Sequence, residues 1–183
     1  CMGQEVENPN VYQFQGQVAE FDFHVATGAN FSNAANQMSA YIVYGTGTNE
    51  AIGKMFYTIS PTLGISSGWA GGALAASPTI TLSTAANGQR VTVLGNIPAT
   101  ATELGVALCW NAPATAAGTT DSLTFSGIQL VRAPNQAANL ANSASWINLP
   151  TATAFDRRPI AQETMFQNRY AYQLAESGTG GVY

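Results

Sequence analysis

Short runs of apolar and β-branched residues recur along this chain, and turn-forming residues separate them. Over 11–25 apolar and polar residues alternate, most regularly at Phe21, Phe23 and Val25. A period of two is typical of a strand with one buried face, and Gly16 marks a bend or bulge in it. No segment of helical period interrupts the runs that follow, which argues against a parallel α/β sheet.

The other runs predict further strands, bounded by clusters of Gly, Asn and Pro. They lie at 38–44, 55–59, 79–83, 89–94, 103–110 and 122–131. The segment 60–76, rich in glycine, predicts a loop, and Asn87-Gly88 predicts a hairpin that joins 79–83 to 89–94. About seven strands at this spacing predict an all-β protein, an antiparallel β-sandwich of jelly-roll type.

The sequence divides into three predicted parts. A β-sandwich module occupies 1–132, with its last strand near 122–131, and a linker packed on the sandwich follows at 133–158. The remainder, 159–183, is predicted to form a short C-terminal helix and a flexible tail. At 183 residues the chain is long enough for one domain with a full core.

The helix prediction rests on spacing near the C-terminus. Phe166, Tyr170 and Leu174 follow one another at intervals of four, which places them on one helical face. Pro159 suits the first turn of such a helix. The stripe is either ordinary core or a contact with a partner.

The low content of charged residues limits the classes of partner. Charged residues make up 9% of the chain, against roughly a quarter in ordinary soluble domains. The net charge is −4 and the basic residues number six, too few to neutralise several phosphates, so we expect no nucleic-acid partner. No apolar stretch approaches the length of a membrane span, so we expect no membrane insertion.

The two cysteines are Cys1 and Cys109. Because Cys109 lies in an apolar run, we expect it to be buried and to pack as a small hydrophobic residue. The sequence leaves open whether Cys1 and Cys109 form a disulfide. Position 1 is not Met, which suggests a processed chain or a piece of a longer protein. A mature lipoprotein, lipidated on its N-terminal Cys, is the alternative.

Residues suited to catalysis are few. His24, the single histidine, lies in a predicted strand and favours a structural role over that of a base. Glu20 and Asp22 share one face of the same strand, as glycosidase carboxylates or metal ligands would, but acidic residues on an exposed strand face explain them more simply. Without a catalytic constellation or a His/Cys cluster, we expect no enzyme, no cofactor and no metal.

Aromatic rings offer a second kind of site, because sugar-binding sites stack exposed, rigidly held rings on apolar sugar faces. Trp69, in the glycine-rich segment, is the first glycan-binding candidate, with Tyr44 and Tyr57 behind it and Trp110 next. Each of these rings is alternatively packed in the core or in a subunit contact.

Several segments resemble a recurrent module of bacteriophage tail-fibre and other virion proteins. Residues 124–130 (TFSGIQL), 155–163 (FDRRPIAQE) and 168–170 (NRY) are similar to that module's last strand, its F-x-x-R-P-x-x-Q-E motif and its C-terminal helix. Residues 96–106 and the loop 44–50 resemble two upstream motifs. The resemblance covers 14–174; the linker after 132 is longer than the family's.

The resemblance implies a carbohydrate-binding-like jelly roll and a non-enzymatic structural role in a phage fibre, spike or capsid decoration. We expect partners among other virion proteins and copies of this chain, in a homotrimer, and a place on the surface of the phage particle. An extracellular or surface-anchored protein is the alternative location, and a host-recognition module that binds a cell-surface glycan is the alternative function. The expected interface residues are Arg157, Arg158, Phe166, Arg169 and Tyr170, although either of the first two can equally form a weak surface ion pair with Glu163.

Overall fold

Antiparallel strands form most of the part of the chain that the computed structural model describes. That part comprises 1–6, 8–31, 36–51, 54, 68–83, 88–110 and 121–137. All of it lies in the first of the two units into which the chain divides, Cys1–Thr153.

The elements follow one another as short strands with a few helical turns. The strands are β1 (Met2–Val6), β2 (Val18–Thr27), β3 (Gln37–Gly45), β4 (Ala73–Ala76), β5 (Thr79–Thr81), β6 (Gln89–Asn96), β7 (Glu103–Cys109) and β8 (Leu123–Arg132). A helical turn, α1 (Asn8–Val11), continues into a 3₁₀ turn at Tyr12–Phe14, and a second 3₁₀ turn spans Pro134–Gln136.

The strands form two sheets. The first, called sheet A, has the order β1-β7-β3-β4, and β5 also pairs with β3. The second, sheet B, has the order β6-β2-β8. All described pairings are antiparallel, so the predicted all-β, two-sheet class is confirmed.

The core lies between the inner faces of the two sheets. Strand β2 contributes Phe21, Phe23 and Val25, all of which are buried, as the alternation predicted. Strand β3 contributes Met38, Ala40 and Ile42 from the other sheet. Because successive side chains of a strand point to opposite faces, Val43 lies on the outer face of sheet A, where it packs with Trp69 in a second cluster.

The predicted strand at 11–25 is wrong over 11–17, nearly half of its length. Val11 ends α1 and Phe14 ends the 3₁₀ turn, and both side chains are buried. Their spacing of three fits a helical face rather than a period of two, and Pro9 suits the first helical turn. Gly16, with φ of +68°, makes the turn into β2, which begins only at Val18.

The predicted hairpin between 79–83 and 89–94 is also wrong, although both strands exist. Strand β5 pairs with β3 in sheet A, whereas β6 pairs with β2 in sheet B. The connection therefore crosses from one sheet to the other. The side chain of Gln89 links the two strands, since it accepts from the backbone of Ser83 and donates to that of Thr81.

Two further expectations about strands need correction. The predicted loop at 60–76 ends in a strand, β4, whose small residues pair with β3, and β1 was not predicted at all. The strands predicted at 38–44, 103–110 and 122–131 are confirmed. The strand predicted at 55–59, and the linker and helix predicted beyond 137, lie outside the described residues.

A disulfide joins Cys1 to Cys109 and so attaches the start of β1 to the end of its neighbour β7. Cys109 is buried, as expected, but it is not the free thiol that its apolar neighbours suggested. Its partner is 108 residues away in sequence, a separation that sequence patterns do not bridge. No helix within the described ranges is long and apolar enough to cross a membrane.

Candidate functional site

The two acidic residues of β2 are structural members of sheet B rather than an exposed pair. Glu20 and Asp22 are 0% and 2% exposed, so the expectation that they lie on a solvated strand face is wrong. His24, two residues further along the same face, is the exposed one.

Asp22 holds the three strands of sheet B together. From β6, Arg90 donates from Nε to both carboxylate oxygens at 3.0 Å and pairs through Nη2, and Thr92 Oγ1 donates at 2.9 Å. From β8, Gln129 Nε2 donates at 3.3 Å. The hydrogen bond to Asp22 raises the pKa of Arg90, against a smaller lowering by burial. A carboxylate with this many donors is poorly placed to act as a base or nucleophile.

A second group of carboxylates lies on sheet A, in a cleft of about 370 Å³. The described residues that line this cleft come from β1, the start of α1, the loop after β3, the segment before β4, and the start of β7. They are Glu5, Val6, Asn8, Pro9, Asn49, Glu50, Trp69, Glu103 and Leu104. We call it the acidic cleft, since Glu5, Glu50 and Glu103 are the only charged residues among them.

Glu103 is the buried member of the acidic cleft. It is the first residue of β7, opposite Gly45 of β3, and is 4% exposed. Its Oε1 accepts from the backbone N–H of Glu50 at 2.6 Å. Within the described part of the chain, its Oε2 is the one buried side-chain nitrogen or oxygen that has no hydrogen-bond partner.

Glu50 brings a second carboxylate to the same place. Its Oε2 accepts from the backbone N–H of Ala70 at 2.7 Å, which ties the loop after β3 to the segment around Trp69. A Cβ atom placed on Gly47 would fall within 3.0 Å of both Glu50 Oε2 and Glu103 Oε2. The two carboxylates therefore lie together against Gly47, and a side chain at that position would displace them.

Burial and the neighbouring charge act in the same direction on Glu103. Loss of hydration raises the pKa of its carboxyl group, the N–H of Glu50 lowers it, and the nearby Glu50 carboxylate raises it further. The net pKa is above the ordinary value of 4.5. A buried acid beside a second acid favours a bound proton or a bound cation.

Trp69, the leading glycan-binding candidate, is buried. It is 2% exposed, packs on Val43, and donates from Nε1 to the carbonyl oxygen of Ala51 at 3.0 Å. The ring is therefore packed in an apolar cluster, the alternative to glycan binding, and is not exposed for stacking on a sugar. It forms part of the wall of the acidic cleft instead.

The remaining predicted site residues are scattered or lie outside the described part. Tyr44 is half-buried against the main core, and Trp110 packs on Phe125 with ring centroids 5.7 Å apart. The structure does not bring these rings to the acidic cleft. Tyr57 and the interface residues Arg157, Arg158, Phe166, Arg169 and Tyr170 lie outside the described residues.

Several polar groups of the loop 46–50 form hydrogen bonds within the fold. Thr46 Oγ1 and Glu50 Oε2 both bond to the backbone of Ala70. Gly47 offers its carbonyl oxygen to Thr102 Oγ1 at 2.6 Å. Over the described ranges, no group of three or more His, Cys, Asp or Glu residues is arranged to hold a metal ion.

Sequence reasoning missed the pairing of Glu50 with Glu103, which are 53 residues apart. The only local signal is that each follows a turn at a strand end. Comparisons with family models, with curated proteins and with solved structures found no match, so function is inferred from the geometry.

Proposed function

We propose that this chain is a non-enzymatic structural protein of a phage particle, such as a fibre, spike or capsid decoration, that assembles through its sandwich surfaces. The observation that carries this proposal concerns Asp22: the carboxylate that most resembled a catalytic acid forms hydrogen bonds within sheet B. A scaffold of this kind acts by contact.

The topology supports a jelly roll as the finer description. The chain passes from sheet B to sheet A between β2 and β3, returns between β5 and β6, and crosses again before β7 and before β8. Repeated crossing between two antiparallel sheets is characteristic of double-sheet folds of this type. We propose the jelly roll on that basis.

The disulfide and the composition support a place on the particle surface. Disulfides persist in oxidising settings, which include virion surfaces and secreted proteins. A surface with few charges lacks the repulsion that keeps monomers apart, and large exposed apolar side chains occur at Met2, Tyr12 and Ile128. Such a surface suits burial against copies of the same chain.

Light scattering coupled to size exclusion tests the assembly proposal. We expect the full chain to elute as a trimer at micromolar concentration, and Ile128→Asp, at an exposed apolar position of β8, to shift it to monomer while the β-sheet circular dichroism stays unchanged. His24→Gln, at an exposed position of β2, is the control and should remain trimeric. A wild-type chain that is monomeric at micromolar concentration would contradict the proposal.

Glycan binding is the second candidate function, and the acidic cleft favours it. The cleft has the volume of a small-ligand site, and Asn8 and Asn49 supply amide groups suited to hydroxyls. A glycan array tests it, with Asn49→Gly as the variant, because Trp69→Ala would remove a buried core residue and because glycine adopts the positive φ of Asn49. Unchanged binding of the Asn49→Gly variant, or no binding at all, would count against this function.

A further inference from the structure

We propose that Glu50 and Glu103 form a pH switch: the 46–51 loop is closed over sheet A when the pair holds a proton, and it opens when both carboxyl groups are ionised. The 46–51 loop follows β3, and Glu103 begins β7. The proposal concerns a conformational change of the chain and does not depend on its proposed function.

The two carboxyl groups lie side by side under the 46–51 loop. A Cβ atom on Gly47 would fall within 3.0 Å of the Oε2 atoms of both Glu50 and Glu103. Glu103 is 4% exposed, and its buried Oε2 has no hydrogen-bond donor among the described residues. A carboxylate oxygen only accepts hydrogen bonds, whereas a protonated carboxyl group also donates one. One proton shared by the pair therefore supplies the donor that the buried oxygen lacks.

The closed loop disfavours ionisation of both groups. Loss of hydration raises the pKa of Glu103, and the charge of Glu50 and a hydrogen bond with its side chain raise it further, against lowering by the backbone of Glu50 and Gly47. Opening of the loop returns Glu103 to water and separates the two charges. The closed loop is therefore favoured at low pH and loses stability as the pH rises through the raised pKa.

The other described residues around the pair supply no compensating charge. Glu5 of β1 lines the same cleft and adds a third acid, while α1 and the segment 68–72 carry no charged residue. Lys54 is exposed and is not among the cleft residues. Tyr41 of β3 has a phenol that ordinarily titrates near pH 10. A proton is therefore the direct means of balancing the charge of this pair.

Hydrogen bonds transmit the state of the loop to the segment around Trp69. Thr46 donates from its N–H and its Oγ1 to the carbonyl oxygen of Ala70, at 2.7 and 3.2 Å. Ala70 donates its own N–H to Glu50 Oε2 at 2.7 Å, and Trp69 Nε1 donates to the carbonyl oxygen of Ala51 at 3.0 Å. Opening of the loop therefore also loosens the cover that Trp69 forms on the outer face of sheet A.

Nuclear magnetic resonance of the full chain tests the switch between about pH 4 and about pH 8. The measurements are the indole N–H shift of Trp69 and the exchange protection of the Glu50 and Ala70 amides, each corrected for the intrinsic rate at that pH. A pKa that is higher by about one in the closed loop makes opening about tenfold easier above that pKa. We expect protection to fall by at least about tenfold and the Trp69 signal to move with the same midpoint, above 4.5.

Two variants remove the switch without removing its hydrogen bonds. Glu103→Gln keeps an oxygen that accepts from the Glu50 N–H and adds an amide that donates to the Glu50 carboxylate. Glu50→Gln keeps an oxygen for the Ala70 N–H and adds a donor for Glu103. Each variant should stay closed over the whole pH range, so its protection and its Trp69 signal should change little with pH.

His24→Gln is the control, because His24 is exposed on sheet B and ordinarily titrates in the same pH range. The pH response of Trp69 should persist in this variant, and its loss would overturn the assignment to the acidic pair. A wild-type chain whose Trp69 signal and amide protection do not change with pH would also overturn the proposal, as would a wild-type response in both glutamine variants. Protection that rises with pH would contradict the direction of the switch.

Discussion

Replacing Asp22 by Asn tests whether the most enzyme-like acid of this chain is part of its scaffold. The change preserves the size of the side chain, and an amide oxygen can still accept from Thr92. It removes the negative charge that faces the guanidinium of Arg90. The experiment therefore isolates the ion pair from packing.

The expected loss of unfolding free energy in Asp22→Asn depends on how exposed Asp22 and Arg90 are. Removing one member of a fully buried ion pair costs about 3–5 kcal/mol, because the other charge stays unpaired. Here the Asp22 side chain is 3% exposed but that of Arg90 is 30% exposed, so the guanidinium can recover part of its hydration. We therefore expect the free energy of unfolding to fall by roughly 2–3 kcal/mol, out of a typical total of about 5–15 kcal/mol.

Urea denaturation followed by circular dichroism measures this loss. With an m-value of about 1–3 kcal/mol per molar urea, the midpoint should fall by roughly 0.7–3 M while m stays constant. His24→Gln, two residues along the same strand face, is the control and should change stability by less than about 0.5 kcal/mol. A double-mutant cycle with Arg90→Gln should show a coupling above about 0.5 kcal/mol.

An Asp22→Asn variant as stable as the His24→Gln control would refute this reasoning. The ion pair would then contribute nothing to sheet B, and the support that it gives to a structural function would disappear. Loss of a hydrolytic activity in a variant of unchanged stability would go further, because it would make Asp22 a catalytic residue.

Three other changes probe the remaining features. Replacing Cys1 and Cys109 by Ser opens a loop of 108 residues and should lower the free energy of unfolding by up to about 4–5 kcal/mol. Amide hydrogen exchange in β1 should become faster, and unchanged exchange there would contradict the role of the disulfide. The pKa of Glu103 is higher in the folded chain than its ordinary 4.5, so the folded state binds more protons between those two values, and its contribution to stability falls as the pH rises through that window. The difference in unfolding free energy between wild type and Glu103→Gln should therefore change with pH across that window, and a pH-independent difference would exclude the shift. Gly88 has φ of +67°, and a Cβ there would meet the carbonyl oxygen of Val25. Gly88→Ala should therefore lower the free energy of unfolding by about 1–3 kcal/mol in a thermal or urea unfolding assay. Unchanged stability would mean that the backbone at Gly88 can adjust to the added methyl group.

Local patterns predicted the strands well where one face is buried along the whole run. At Phe21, Phe23 and Val25 the period of two reports directly on the core between the sheets. The pattern failed at Val11, where two helical turns bury residues three apart. The hairpin predicted from Asn87-Gly88 was also wrong. Turn residues favour a local bend, but they do not determine the sheet in which the next strand pairs.

The candidate site was beyond sequence reasoning for a related physical reason. Its contacts join residues far apart along the chain: Glu50 with Glu103, Asp22 with Arg90, and Cys1 with its distant partner. In a sandwich the strands that become neighbours are set by topology, and no local periodicity encodes that. Aromatic residues in glycine-rich segments suggested a binding site, but Trp69 lies in an apolar cluster.

The two acidic sites of this scaffold balance their charge in different ways. Sheet B surrounds Asp22 with donors on both sides, so its charge is neutralised within the fold. Sheet A buries Glu103 beside the Glu50 carboxylate, so loss of hydration and that neighbouring charge raise the pKa of its carboxyl group. An acid buried beside a second acid favours a bound proton or a bound cation over an unpaired charge.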